Sequence, residues 1–116
     1  MAEGNPPPLT PAGYQVLLAL AAGSAHGYAV MRFIDEVTEG SVQLGPGTLY
    51  RTIARLVADG LVEEIAGSED DPHDARRRYY RLTTVGRAAA IRETDLMSRL
   101  VAVAAEAGLI EGRRTA

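Results

Sequence analysis

The chain predicts a mainly α fold with one small β-hairpin, a winged helix-turn-helix followed by a long C-terminal helix. Three observations predict it. Three segments with helical apolar spacing stop in turn at Gly23, Gly40 and Gly60. Two short β-rich runs, 61–65 and 78–83, then flank a polar stretch rich in turn residues. A last segment keeps one apolar side through Leu96, Met97, Leu100, Val101, Val103, Ala104 and Ala107.

Each element follows from local chemistry. Residues 1–9 read as a flexible arm, because Pro6-Pro7-Pro8 favours extended chain and cannot enter a helix interior. Thr10 is an N-cap, and Pro11 suits the first helical position. Tyr14, Leu17, Leu18 and Ala21 give the first helix one apolar face. Val16, Ala19 and Leu20 widen that face enough for cover on two sides. Ser24 caps a second helix, from Ala25 to about Glu39, with Val30, Phe33, Ile34 and Val37 inward. In the connection that follows, Val42-Gln43-Leu44 can pair as a stub strand. The third helix spans Pro46 to Ala58, with Leu49, Ile53, Leu56 and Val57 inward and Thr48, Arg51, Thr52 and Arg55 outward. Thr83 or Thr84 caps the last helix, which runs to Ala107 over about 24 residues, or about 36 Å. The chain thus divides into the arm, a winged helix-turn-helix over 10–83, a dimerisation helix over 84–108 and a flexible tail over 109–116.

Length and composition limit what such a fold can do. At 116 residues the chain holds one domain, and 47% apolar with 23% charged residues is a globular balance. There is no Cys, which excludes disulfides, thiolate metal sites and a cysteine nucleophile. The longest apolar run, Val16 to Ala22, is about seven residues, far short of a membrane span. The N-terminus has no basic start and no apolar core, so it is not a secretory leader. The expected location is the cytoplasm. Ser24, His26 and Asp35 do not make a catalytic triad, since two of them share one short turn and no nucleophile elbow is present. Asp70, Asp71, His73 and Asp74 are metal-type ligands, but they also read as a solvated loop, and neither metal nor cofactor is expected.

Charge is segregated. The net charge is −3, and every basic side chain is Arg. Residues 46–58 carry +2 and residues 75–92 carry +6, whereas 59–74 carry −7. An acidic chain with two clean basic segments can offer a local positive surface to a polyanion. The plainer account is that Arg76–Arg81 neutralises Asp59–Asp74 across the hairpin. The third helix has the composition for a DNA major groove, which is about 12 Å wide and admits one helix. Arg binds guanine bidentately, and Thr contacts phosphate or a thymine methyl. Tyr50 fits either a phosphate contact or a core-edge aromatic. Tyr79 and Tyr80 alternate on a strand, so one is core and the other lies along the wing. His26 packs or caps.

Several motifs stand in one order. His26-Gly27-Tyr28 opens the second helix. Gly45-Pro46-Gly47-Thr48-Leu49-Tyr50-Arg51 opens the third, and Leu56 with Asp59-Gly60-Leu61-Val62 closes it. Arg77-Arg78-Tyr79-Tyr80-Arg81-Leu82-Thr83, with Gly86-Arg87, opens the last. Over residues 9 to about 105 this series resembles the PadR family of bacterial transcriptional regulators, in its subgroup with a short C-terminal arm. The resemblance implies a winged-helix homodimer that usually represses, with the last helix as dimer arm, and many members respond to small molecules. It places Gly47, Thr48, Tyr50, Arg51 and Arg55 on the recognition helix and Arg76, Arg77 and Arg78 at the base of the wing; Thr52, on the same outward face, joins them as an expected DNA contact. Gly45 stands where a Ser cap is common, so the third helix starts less well capped. Glu69, Asp70, Asp71 and Asp74 at the wing tip repel phosphate, which leaves the arginine base of the wing to meet DNA.

The last helix is too long for so small a core to cover, and its uncovered apolar stripe calls for a second copy. The expected dimer interface is Val16, Leu20, Leu96, Met97, Leu100, Val101, Val103 and Ala104. No aromatic residue follows Tyr80, so a flat effector cannot be sandwiched on this helix. Leu96, Met97 and Leu100 either line a pocket for a small apolar effector at the dimer interface or close into a dry core. The expected function is a sequence-specific DNA-binding repressor acting as a homodimer on a pseudo-palindrome. The competing function is a winged-helix protein-interaction module.

Overall fold

The computed structural model describes residues 8–66 and 78–111. The order of elements is α1 (Pro11–Ala19), β1 (Ala25–His26), α2 (Gly27–Val37), α3 (Pro46–Ala58), β2 (Val62–Ala66), β3 (Arg78–Leu82) and α4 (Thr84–Glu106). The strands form one antiparallel sheet in the order β1-β3-β2. This is the winged-helix arrangement, with a small sheet beside three short helices and a fourth helix leaving the body.

The core lies where α1, α2 and α3 converge. Val16, Leu17 and Leu20 meet Val30 and Ile34 of α2 and Leu49, Ile53 and Leu56 of α3, while Leu61, Val62 and Tyr80 close the sheet side. Val37 and Val57, expected inward, are exposed. Each sits in the last turn of its helix, past the edge of the core.

Three boundaries differ from expectation. The first helix stops at Ala19, not near Gly23, because the chain must unwind to place Ala25 and His26 opposite Tyr80 and Tyr79. Arg87 on α4 donates to the Ala21 carbonyl at 2.9 Å within that turn. His26, not Ser24, caps α2, its Nδ1 accepting from the Ala29 amide at 3.2 Å. Val42-Gln43-Leu44 is not a strand, since the Thr38 hydroxyl, donating to the Ile34 carbonyl at 2.8 Å, accepts from the Val42 amide at 3.1 Å and takes that amide from any ladder. The sheet edge goes to Ala25–His26 instead.

The end of α3 is a tight left-handed turn. Gly60 has φ +80°, the Gly60 amide donates to Val57, and the Leu61 amide donates back to Leu56 at 2.9 Å. This reversal feeds β2 and receives α4. Thr83 caps α4 by accepting from the Gly86 amide at 2.9 Å, and its hydroxyl donates to the Gly60 carbonyl at 2.7 Å. Gly86 lies against the Leu61 carbonyl so closely that an added methyl would overlap it. The start of α4 is thereby locked to the end of α3.

Val16 and Leu20 require a correction as dimer contacts. They are 0% and 1% exposed within the single chain. Both sides of α1 are covered by the protomer itself, by α2 and α3 on one side and by α4 on the other. Leu18, at 39% exposure, is the large apolar residue of α1 that still faces outward.

Candidate nucleic-acid interface

The outward face of α3 is built by helix period. Leu49, Ile53 and Leu56 anchor one side, so Gly47, Thr48, Arg51 and Arg55 fall on the exposed side and Thr52 at its half-buried margin. The helix begins at Gly45 with no side-chain cap, as its sequence implies, and Pro46 sets its first turn. Arg51 curls over that turn, its Nη2 donating to the Thr48 hydroxyl at 3.3 Å. No carboxylate among the described residues pairs with it. Arg55 has Asp59 one turn on, with Nε 3.8 Å from Oδ2, a loose contact on a side chain 73% exposed.

Tyr50 leans to the neighbouring helix. Its hydroxyl covers Gly27 at the start of α2, where an added methyl would collide with the ring. Of the two roles its sequence allows, the packing one is visible, although 46% of the residue stays exposed. His26, beside Gly27, sets its ring edge to face with Tyr79 of the wing, centroids 5.4 Å apart and planes at 83°. The turn before α2, α3 and β3 are thus tied together through aromatic side chains. The sequence carried no signal for this, because a two-residue strand has no period to read. Tyr80 is the core tyrosine of the pair, and burial pushes its phenol above the ordinary range.

The wing differs from the helix in its charges. Arg78 pairs with Glu64, and Arg81 Nε lies 2.6 Å from Glu63 Oε2. The hydrogen bond that Arg78 donates to Glu64, then the charge of Glu64, raises the Arg78 pKa still further. In the described part of the hairpin, the plainer account of these arginines as cross-strand neutralisation therefore holds. Arg76 and Arg77 lie outside the described residues, as do the acidic tip and its metal-type ligands.

Beyond the body, α4 exposes the expected stripe. Leu96, Met97, Leu100, Val101 and Val103 all face solvent in the single chain, and Ala104 is half-buried. Nearer the body, Tyr14, Leu18, Ala21, Ile91 and Thr94 wall an open cavity of about 200 Å³ between α1 and α4. The Tyr14 and Thr94 hydroxyls meet across it at 2.7 Å. Among the described residues, no helix is long and apolar enough to cross a membrane.

Comparison with known proteins agrees with this geometry. The family model described as "Transcriptional regulator PadR-like family" matches residues 16–92. The chain is 41% identical over 67 residues to the transcriptional regulator Rv3488 of Mycobacterium tuberculosis, covering 57% of this chain and 59% of that one. Its fold is similar to that of a PadR family transcription regulator from Clostridium difficile, with TM-score 0.70 and 22% identity over 82% of this chain and 95% of the other. It is also similar to Bacillus subtilis PadR in complex with operator DNA, with TM-score 0.61 and 17% identity over 71% of this chain and 45% of that one. The chain spans 22%, 59% and 65% of the lengths of three curated relatives it matches, less than two thirds of each.

Proposed function

The chain belongs to the PadR-like family of transcriptional regulators, and from that premise we propose that it is a sequence-specific DNA-binding repressor working as a homodimer. Residues 10–83 read DNA, and the helix of 84–108 holds two copies together. The observation that carries the reading is α3, whose exposed face joins Gly47, Thr48 and an Arg51 with no carboxylate partner among the described residues. Arg51 and Arg55 read base edges, Thr48 and Thr52 touch phosphate or a thymine methyl, and Tyr50 holds α3 against α2. Arg76, Arg77 and Arg78 meet flanking phosphates.

The stripe of Leu96, Met97, Leu100, Val101, Val103 and Ala104 meets its twin in the partner. Two recognition helices about 34 Å apart then address one face of a pseudo-palindrome. A small apolar effector between the two α4 helices, lodged near Leu96, Met97 and Leu100, shifts that spacing and releases DNA. The operation takes place where the chromosome is, in the cytoplasm. In the operator complex of B. subtilis PadR a protein of the same fold engages DNA, which supports the reading for this chain.

The deciding experiment selects bound fragments from a random duplex pool and titrates the winner with salt. A defined motif, with log K falling by about 0.9 per log unit of salt for each phosphate engaged, supports the repressor. No enrichment, together with salt-insensitive binding, supports the protein-interaction module. For the dimer, Leu100→Asp is expected to sediment as a monomer and to lose cooperative binding to both half-sites. An unchanged dimer would remove α4 from the interface.

A further inference from the structure

We propose that Glu63 and Glu64 are internal competitors for phosphate, which occupy Arg81 and Arg78 and thereby set how tightly this chain grips duplex DNA. The inference rests on the DNA-binding reading and assigns it a control that the family resemblance does not supply.

The strand register carries it. Glu63 lies directly across from Arg81, while Arg78 sits across from Ala66 and reaches diagonally to Glu64. Alternation puts the two pairs on opposite faces of the hairpin. Glu63 and Arg81 share a face with Ile65 and Tyr79, and Glu64 and Arg78 share the other with Val62, Tyr80 and Leu82. The first face is the outer one; the second packs on the core through Val62 and Tyr80, and Arg78 reaches solvent beyond them at the open end of the hairpin. Among the described residues of the hairpin, a phosphate that reaches either arginine meets one already held by a carboxylate. Both arginines are mostly exposed, at 73% and 54%. Exposed pairs of this kind add little to stability, so they are a weak account of why two glutamates stand there. They are also weak enough to open when a stronger anion arrives. The effect on DNA is the larger one, because each glutamate both cancels a cation and adds a charge that repels phosphate.

Glu63→Gln and Glu64→Gln keep the side-chain length and one hydrogen-bond acceptor while removing the charge. In the full-length chain, binding to a fluorescent mixed-sequence duplex is followed across a salt series. Each substitution is expected to steepen the slope of log K on log salt by up to about 0.9. Between about 1 M and about 0.05 M salt that amounts to a gain on the order of tenfold. Adding Arg81→Gln to the first variant, or Arg78→Gln to the second, is expected to return the slope to that of the unmodified chain. Thermal midpoints of all variants check the fold.

Unchanged slopes in both glutamine variants would overturn the proposal. So would weaker binding with a lowered thermal midpoint, which would make the pairs structural supports. If the unmodified chain and every variant show no salt-sensitive binding to any duplex, the DNA-binding reading itself falls and takes the proposal with it. Binding by the unmodified chain with flat variant responses sinks the proposal alone.

Discussion

Helix α3 and the hairpin carry the same cation in two electrostatic states. On α3, Arg51 donates to the Thr48 hydroxyl and stands clear of any carboxylate among the described residues. On the wing, Arg78 and Arg81 are held across the hairpin by Glu64 and Glu63. Arg55 is intermediate, with Asp59 at 3.8 Å. The difference follows from geometry. A helix face repeats every 3.6 residues, and no acid falls within reach of Arg51 at that spacing. A hairpin sets two strands side by side, so acids on one must meet bases on the other. Local positive charge is therefore a matter of secondary structure as well as of composition.

That contrast can be broken outright at the joint the two regions share. Gly86→Ala drives a methyl into the Leu61 carbonyl, between the end of α3 and the start of β2. A loss on the order of 3 kcal/mol is expected, read as a fall in the denaturant midpoint, because rigid backbone cannot yield. A neutral result would mean that helix and wing are not tied through α4.

The next test separates the two arginine states. Arg51→Ala is expected to cost about 1–3 kcal/mol on the preferred duplex and to flatten discrimination among sequences. Arg81→Ala is expected to weaken matched and scrambled duplexes alike and to leave discrimination intact, since it uncovers Glu63 to repel phosphate without removing a base contact. Equal losses, measured by fluorescence anisotropy on matched and scrambled duplexes, would erase the distinction.

Thr83→Ala removes the cap of α4 and the hydroxyl that donates to Gly60. About 1–2 kcal/mol is expected in equilibrium unfolding. DNA preference should survive in the folded fraction, which distinguishes support of the interface from membership of it. The smallest effect belongs to the intermediate case. Asp59→Asn frees Arg55 and removes an unfavourable charge at the end of α3, so a stability gain of about 0.3–1 kcal/mol is expected, with slightly tighter binding. Weaker binding would show that Asp59 aims Arg55 rather than restraining it.

Much of this arrangement is written in local chemistry. Thr10-Pro11, Gly45-Pro46, Gly60 and Thr83 mark where helices begin or turn, and each acts in the structure as its side chain or backbone freedom dictates. The apolar spacing of α3 is enough to put Arg51 and Arg55 outward, because a helix offers its residues only one face to the core. The stripe on α4 is legible for the same reason. Subtler choices were not. Nothing in Ala25-His26 marks a strand, and it becomes one only because β3 offers an unpaired edge there. Val16 and Leu20 belong to an apolar face wide enough for a partner, yet α2, α3 and α4 already fill it.

The amino-acid order alone determined helices α1 to α4, the pairing of the two hairpin strands and the outward turn of Arg51 and Arg55, since caps, turns and periodicity act over a few residues. Tertiary structure decided which apolar faces the protomer uses up and which arginines meet a carboxylate. Both depend on residues distant in sequence arriving at one place, and no local pattern records that meeting.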